Sequence, residues 1–144
     1  MGQPVVYAKE VNMIQLLKFI VTYLASLFDE YNFQIKEANN AGNRFSGASI
    51  LMASDEVEIF LAIERDEITA DFHSVFDKRK RNWYSVDIIF NLLGYKNVSG
   101  VLDDRSSPLL RDELKKIIDR FHKSEIEETL KLMDRIKKER SKRM

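Results

Sequence analysis

Two alternating runs, Val57–Glu64 and Glu67–Val75, constrain the fold more than any other feature of this chain. Strict alternation sends successive side chains to opposite faces of a strand. A tight connection at Arg65-Asp66 pairs Ile63 with Ile68, Leu61 with Ala70 and Ile59 with Phe72, all on one face. The other face then carries Glu58, Phe60, Glu64, Glu67, Thr69, Asp71 and His73. One apolar and one acidic face is what a half-buried antiparallel sheet requires. Arg-Asp lacks the glycine that two-residue hairpin turns favour, and a four-residue loop gives the same register. A turn near Ser54-Asp55 sets Met52 against Val57 and Ile50 against Ile59, extending the hairpin back into a strand over Arg44–Ala53 with Gly47 marking a bulge. The alternation Phe33–Lys36, followed by the turn cluster Asn39–Asn43, adds a further strand. The middle of the chain is thus expected to be a three- or four-stranded meander. Its edge near residues 33–38 is open to pairing with another strand.

Helical periodicity flanks the meander. Over Lys9–Tyr31, the polar residues Asn12, Gln15, Lys18, Thr22, Ser26 and Asp29 trace one narrow stripe. The remaining positions are apolar, which predicts a mostly buried central helix. After the sheet, Ser85 is placed to cap a short helix over Val86–Leu93 that Gly94 ends. Ser107-Pro108 opens an amphipathic helix with Leu110, Leu114, Ile117, Ile118 and Phe121 on its apolar side. The capping box Ser124–Glu127 restarts the helix, with Ile126, Leu130, Met133 and Ile136 as its apolar stripe. A long N-terminal helix, an antiparallel meander and three C-terminal helices make an α+β fold. All 144 residues are expected to form one domain, with the first helix and a later one over the apolar face.

Composition removes several function classes. The chain contains no cysteine, which excludes disulfides and thiolate chemistry and fits a reducing cytoplasm. The start lacks a signal peptide's basic and apolar regions, and position 6 is not the Ser or Thr of a myristoylation pattern. The apolar stretch Ile14–Phe28 is interrupted by Lys18, Thr22 and Ser26, so no membrane span is expected. Net charge is zero, yet residues 1–77 carry 5 Lys/Arg against 12 Asp/Glu, and residues 78–144 carry 18 against 11. The favoured expectation is that the two halves neutralise each other within the fold.

Five groups of residues bear on function. The acidic strand face, with Glu58, Glu64, Glu67 and Asp71 around Phe60, suits docking of a basic protein or mimicry of nucleic acid toward a nuclease; an ordinary solvent-facing surface is the plainer reading. The loop Lys78-Arg79-Lys80-Arg81, followed by Asn82, Trp83 and Tyr84, joins cations to aromatics as phosphate-binding and base-stacking segments do. Its plainer reading is a solvated loop in which Tyr84 packs on Ile89 and Trp83 covers the sheet. His73 opposite Glu58, with Asp71 nearby, makes an acid–base pair or a cross-strand ion pair. Asp103-Asp104 lacks the third ligand of a magnesium site and fits a turn. The cations Lys137–Arg143 complement a helix dipole whose acidic start holds Glu125, Glu127 and Glu128. There is no glycine-rich phosphate loop, no nucleophile elbow and no HExxH, and no motif calls for a cofactor or metal.

The run Ser49–Val57, followed by Trp83-Tyr84-Ser85-Val86-Asp87-Ile88-Ile89-Phe90-Asn91-Leu92-Leu93, resembles small uncharacterised bacterial proteins of the same helix–strands–helices order, some of toxin-immunity type. The resemblance spans nearly the whole chain in order and pattern and carries over no functional residue. It implies a protein-binding role.

The leading expectation is therefore a non-enzymatic protein-binding domain, with Glu58, Phe60, Glu64, Asp71 and Trp83 as partner-binding residues. A nucleic-acid-binding module using Lys78, Arg79, Lys80 and Arg81 is the first alternative. A small enzyme centred on His73 and Glu58 is the second.

Overall fold

A computed structural model describes residues 3–40 and 47–142 of the chain, with side chains from residue 12 onward. The chain runs α1 (Gln3–Tyr23), α2 (Ala25–Glu30), β1 (Gln34–Asn39), β2 (Ala48–Ala53), β3 (Val57–Glu64), β4 (Glu67–Ser74), β5 (Tyr84–Ser85), α3 (Val86–Leu92), β6 (Val101–Leu102), α4 (Ser106–Arg120) and α5 (Ile126–Lys142). This is the expected α+β order. The antiparallel meander β1-β2-β3-β4 is extended along the free edge of β4 by two short strands, β5 beside Asp71 and Phe72 and β6 beside Ile68 and Thr69. Part of the turn cluster Asn39–Asn43, and the start of the expected strand Arg44–Ala53, lie outside the described residues.

The central hairpin has the predicted register, with Ile63 opposite Ile68, Leu61 opposite Ala70 and Ile59 opposite Phe72. Its connection is the tight two-residue turn, with Arg65 at φ 54° and Asp66 at φ 63°. Both residues are left-handed, as a type I′ turn demands, without a glycine to relieve them. The β2–β3 register differs from expectation by two residues. Met52 faces Ile59 and Ile50 faces Leu61, because Ser54 Oγ accepts the amides of Glu56 and Val57 and closes a longer loop. A two-residue shift keeps every side chain on its face, so the apolar set stays inside.

Gly47 packs where the chain enters β2, and a Cβ there would lie 1.6 Å from the Ile63 carbonyl oxygen. Close approach of two backbones, rather than a bulge, explains this glycine. The bulge lies in edge strand β1, between Ile35 and Glu37. Every residue of β1 is exposed, and the irregularity breaks the regular edge ladder that another strand would need.

The N-terminal helix departs from expectation in two ways. It begins at Gln3 and breaks at Leu24, which leaves α2 as a separate turn-and-a-half. Asn32, at φ 58°, then turns the chain, and the amides of Tyr31 and Phe33 both donate to the Leu27 carbonyl. Its burial is also one-sided: Leu16, Phe19, Ile20, Leu24 and Leu27 are buried, while Ile14, Leu17 and Val21 are exposed. The helix packs on β2 and β3 with one side and on α4 with part of another, so apolar residues pointing away reach solvent.

The core lies between the apolar sheet face and the helices. Ile50, Met52, Val57, Ile59, Leu61, Ile63, Ala70 and Phe72 meet Leu16, Ile20 and the C-terminal helices, and the Phe72 ring stacks on Phe121 at 6.2 Å. At α4, Asp103 rather than Ser107 closes the N-terminus. Its Oδ1 accepts the amides of Arg105 and Ser106, which holds the carboxyl below its usual range. Asp103 is thus a turn and cap residue, as the plainer reading had it. His122 Nδ1 sits 2.6 Å from Glu56 Oε1 and its Nε2 3.3 Å from Asp119, so it ties the β2–β3 loop to the end of α4. No helix among the described residues is long and apolar enough to cross a membrane.

Candidate functional site

The outer face of the sheet carries the residues that alternation assigned to it. Glu58 faces His73, Phe60 faces Asp71, Ala62 faces Thr69 and Glu64 faces Glu67, while Leu51 of β2 lies opposite Phe60. Leu51, Phe60, Ala62, Thr69 and Asp71 stay partly exposed, whereas the inward residues of β3 are buried. The result is a partly open patch, apolar at its centre and acidic around it. At the hairpin end, Ala62, Glu64, Arg65, Glu67 and Thr69 line a shallow depression.

Trp83 closes one side of this patch. Its ring meets Phe60 edge-on at 6.4 Å and lies over the His73 imidazole at 5.1 Å. His73 Nδ1 is 2.9 Å from the Asn82 carbonyl oxygen. A carbonyl only accepts, so this nitrogen carries a proton and Nε2 is left toward Glu58 Oε1, 4.0 Å away. The side chain is 8% exposed, held between strand, loop backbone and indole. Its observed role is to fix Trp83 and the loop to β4.

A polar network beneath the loop holds Trp83 in place. Asn82 Nδ2 donates to Asp77 Oδ2 at 2.8 Å and to the Tyr84 hydroxyl at 2.6 Å. The fully buried Tyr84 donates in turn to Asp134 of α5. Arg79 bridges Asp77 at 3.0 Å and Asp134 at 3.1 Å. Lys137 reaches Asn82 Oδ1 at 3.3 Å and the Trp83 carbonyl at 3.1 Å. Burial, and then the Asp134 carboxylate, push the Tyr84 phenol up to about 12. For Asp77, burial raises the carboxyl, but hydrogen bonds from Asn82 and Arg79 outweigh it and the net shift is downward. Asp71 is raised, first by burial and then by the neighbouring Asp87, against the pull of Lys137 and Arg140.

The fold therefore brings Glu58, Phe60, Asp71 and Trp83 together, with Glu64 at the far end of β3. It divides the basic loop: Arg79 is engaged in the network, while Lys78, Lys80 and Arg81 are exposed. Beyond any packing of its ring, Tyr84 also anchors α5 through its hydroxyl. Ser85 occupies the cap position of α3 without a side-chain cap bond, and its hydroxyl donates to Asp87, which also binds Arg140 at 2.9 Å. Asp77 and Asp134 were not singled out from sequence, and Asn82 and Lys137 entered only as members of the basic loop and of the basic helix end. The one available signal was an aromatic hydroxyl in an apolar segment, which demands a buried partner.

Few direct ion pairs join the two charged halves. Of nine ion pairs among the described residues, only Arg79–Asp77 and His122–Glu56 join residues 1–77 to residues 78–144. Asp71 of the first half also feels the attraction of Lys137 and Arg140 of the second. No group of three or more His, Asp or Glu side chains among the described residues is arranged to hold a metal ion.

Compared with known proteins, the chain matches no family model, no curated protein and no solved structure.

Proposed function

We propose that this chain acts by binding rather than by chemistry, and that the outer sheet face docks a basic protein partner. The observation carrying this reading is the cluster itself: Phe60, Leu51, Ala62 and Trp83 form an apolar centre among Glu58, Glu64, Glu67 and Asp71. An apolar centre supplies affinity once water leaves it, and a rim of one sign steers a partner of the opposite sign. The network behind Trp83 makes the surface pre-organised, which lowers the ordering cost of binding. Support for binding over catalysis comes from His73, whose imidazole is buried under the indole and already bonded to the Asn82 carbonyl. The resemblance to toxin-immunity proteins supplies a partner class, a cationic toxin domain blocked by occupation of its basic surface.

Trp83 is the only tryptophan, so its emission reports on this face. A cationic peptide alternating lysine and leucine is the probe. The reading predicts a saturable change in Trp83 emission that weakens with salt and is lost when Glu58, Glu64 and Asp71 are together reversed to lysine. An unchanged emission, or an equal response from the triple variant, overturns it.

A further inference from the structure

A second charged surface lies on different residues and does not rest on the docking reading above. On α5 the residues Lys131, Arg135, Lys138 and Lys142 follow at spacings of four, three and four, which aligns them on one side of the helix. The buried residues of α5, Ile126, Thr129 and Met133, lie on the other side, and all four cations are exposed. The stripe extends about 16 Å at 1.5 Å per residue.

The fold sets the loop of residues 78–81 beside this stripe. Arg79 binds Asp134, and Lys137 binds Asn82 and the Trp83 carbonyl, so the loop is fastened along α5. Lys78, Lys80 and Arg81 flank the fastened Arg79 and point no further than solvent. The nearby acids are few: Glu127 pairs with Lys131 at 3.9 Å, Glu128 and Glu139 are exposed, and Asp134 is already matched by Arg79. Lys137 spends its hydrogen bonds on the neutral acceptors Asn82 Oδ1 and the Trp83 carbonyl. Two basic segments about fifty residues apart in sequence thus form one positive surface.

We infer that this surface binds the phosphate backbone of a nucleic-acid duplex without reading its sequence. A duplex presents about one charge per 1.7 Å of axis with both strands counted, so the stripe runs alongside a segment holding roughly ten phosphates, about five on each strand. Base stacking plays no part, because the Trp83 ring is committed to His73 and Phe60 on the sheet side. The cationic stripe of α5 itself carries no aromatic side chain on which bases could stack, which favours a duplex over a single strand. Arg79 contributes by fastening the loop, not by touching phosphate.

The test is fluorescence anisotropy of a labelled mixed-sequence DNA duplex of about 20 base pairs, titrated with the full chain from about 50 mM salt upward. Saturable binding is expected, with log K falling against log salt at a slope of about −6. K80A/R81A and K138A/K142A should each flatten that slope by about 2, with unchanged thermal melting. Losses from both pairs place loop and helix on the same duplex. The inference is overturned by no binding at about 50 mM salt, by a slope that either pair leaves unchanged, or by tighter binding to the separated single strand. Binding to anionic lipid vesicles in place of the duplex overturns it as well.

Discussion

Replacing Tyr84 by phenylalanine tests the network that holds the site. The substitution keeps the buried ring and removes the hydroxyl that donates to Asp134 and accepts from Asn82. Asn82 keeps Asp77, and Arg79 keeps both carboxylates, so the principal loss is one bond to a charged acceptor. Such bonds contribute about 1.5–3 kcal/mol. The Asp134 side chain is 40% exposed and regains water, which brings the expected loss to about 1.5 kcal/mol, or about 5 °C in a domain of this size. The pH dependence is a sharper signature. The folded phenol titrates at about 12 and an unfolded tyrosine near 10. Below the unfolded value both states are neutral, and the hydroxyl's contribution is fully present. As pH rises toward the folded value only the unfolded chain ionises, so about 2 kcal/mol of stability is lost. Y84F lacks this titration, while Tyr31 and Tyr95 are common to both proteins and cancel. Urea unfolding followed by Trp83 emission should show a gap of about 1.5 kcal/mol near pH 8 that closes near pH 11. A gap that stays constant with pH, or a variant as stable as the wild type at pH 8, refutes the assignment of Tyr84 as the buried anchor.

Two further substitutions probe the sheet. Gly47→Ala forces a Cβ into the Ile63 carbonyl, and the β2–β3 pairing should weaken by more than about 2 kcal/mol in chemical denaturation; a neutral variant contradicts the close approach. Arg65→Asn with Asp66→Gly gives the left-handed turn the residues it favours, and thermal melting should show a gain of about 1 kcal/mol. A loss would mean that the turn is not type I′.

Much of the fold was legible because its strongest signals are local. The hairpin of β3 and β4 can be read to the residue, since alternation fixes the buried face of Ile59, Leu61, Ile63, Ala70 and Phe72 and the tight turn at Arg65-Asp66 fixes the pairing. The β2–β3 register was misjudged by two residues because Ser54 closes the loop with its side chain, which alternation does not reveal. The exposure of Ile14, Leu17 and Val21 was also hidden, because a wide apolar helix face does not say how many neighbours the fold supplies. The acidic face of the candidate site followed from the same alternation. Its support did not, since Tyr84 meets Asp134 across fifty residues of sequence. Nor did the fate of the charges: composition gave their totals for each half, but only the packing shows that so few of them cross-pair.

The central claim, that the sheet face is a docking surface for a basic protein, is tested most directly by parallel affinity capture. Wild type and the triple variant Glu58→Lys, Glu64→Lys, Asp71→Lys are used as baits in nuclease-treated lysate of the source cells, and bound proteins are read by mass spectrometry. The account predicts one stoichiometric basic protein on the wild type and its loss from a triple variant that melts as a folded domain. Retention of that partner by the folded triple variant, or partners that disappear with nuclease alone, would contradict it.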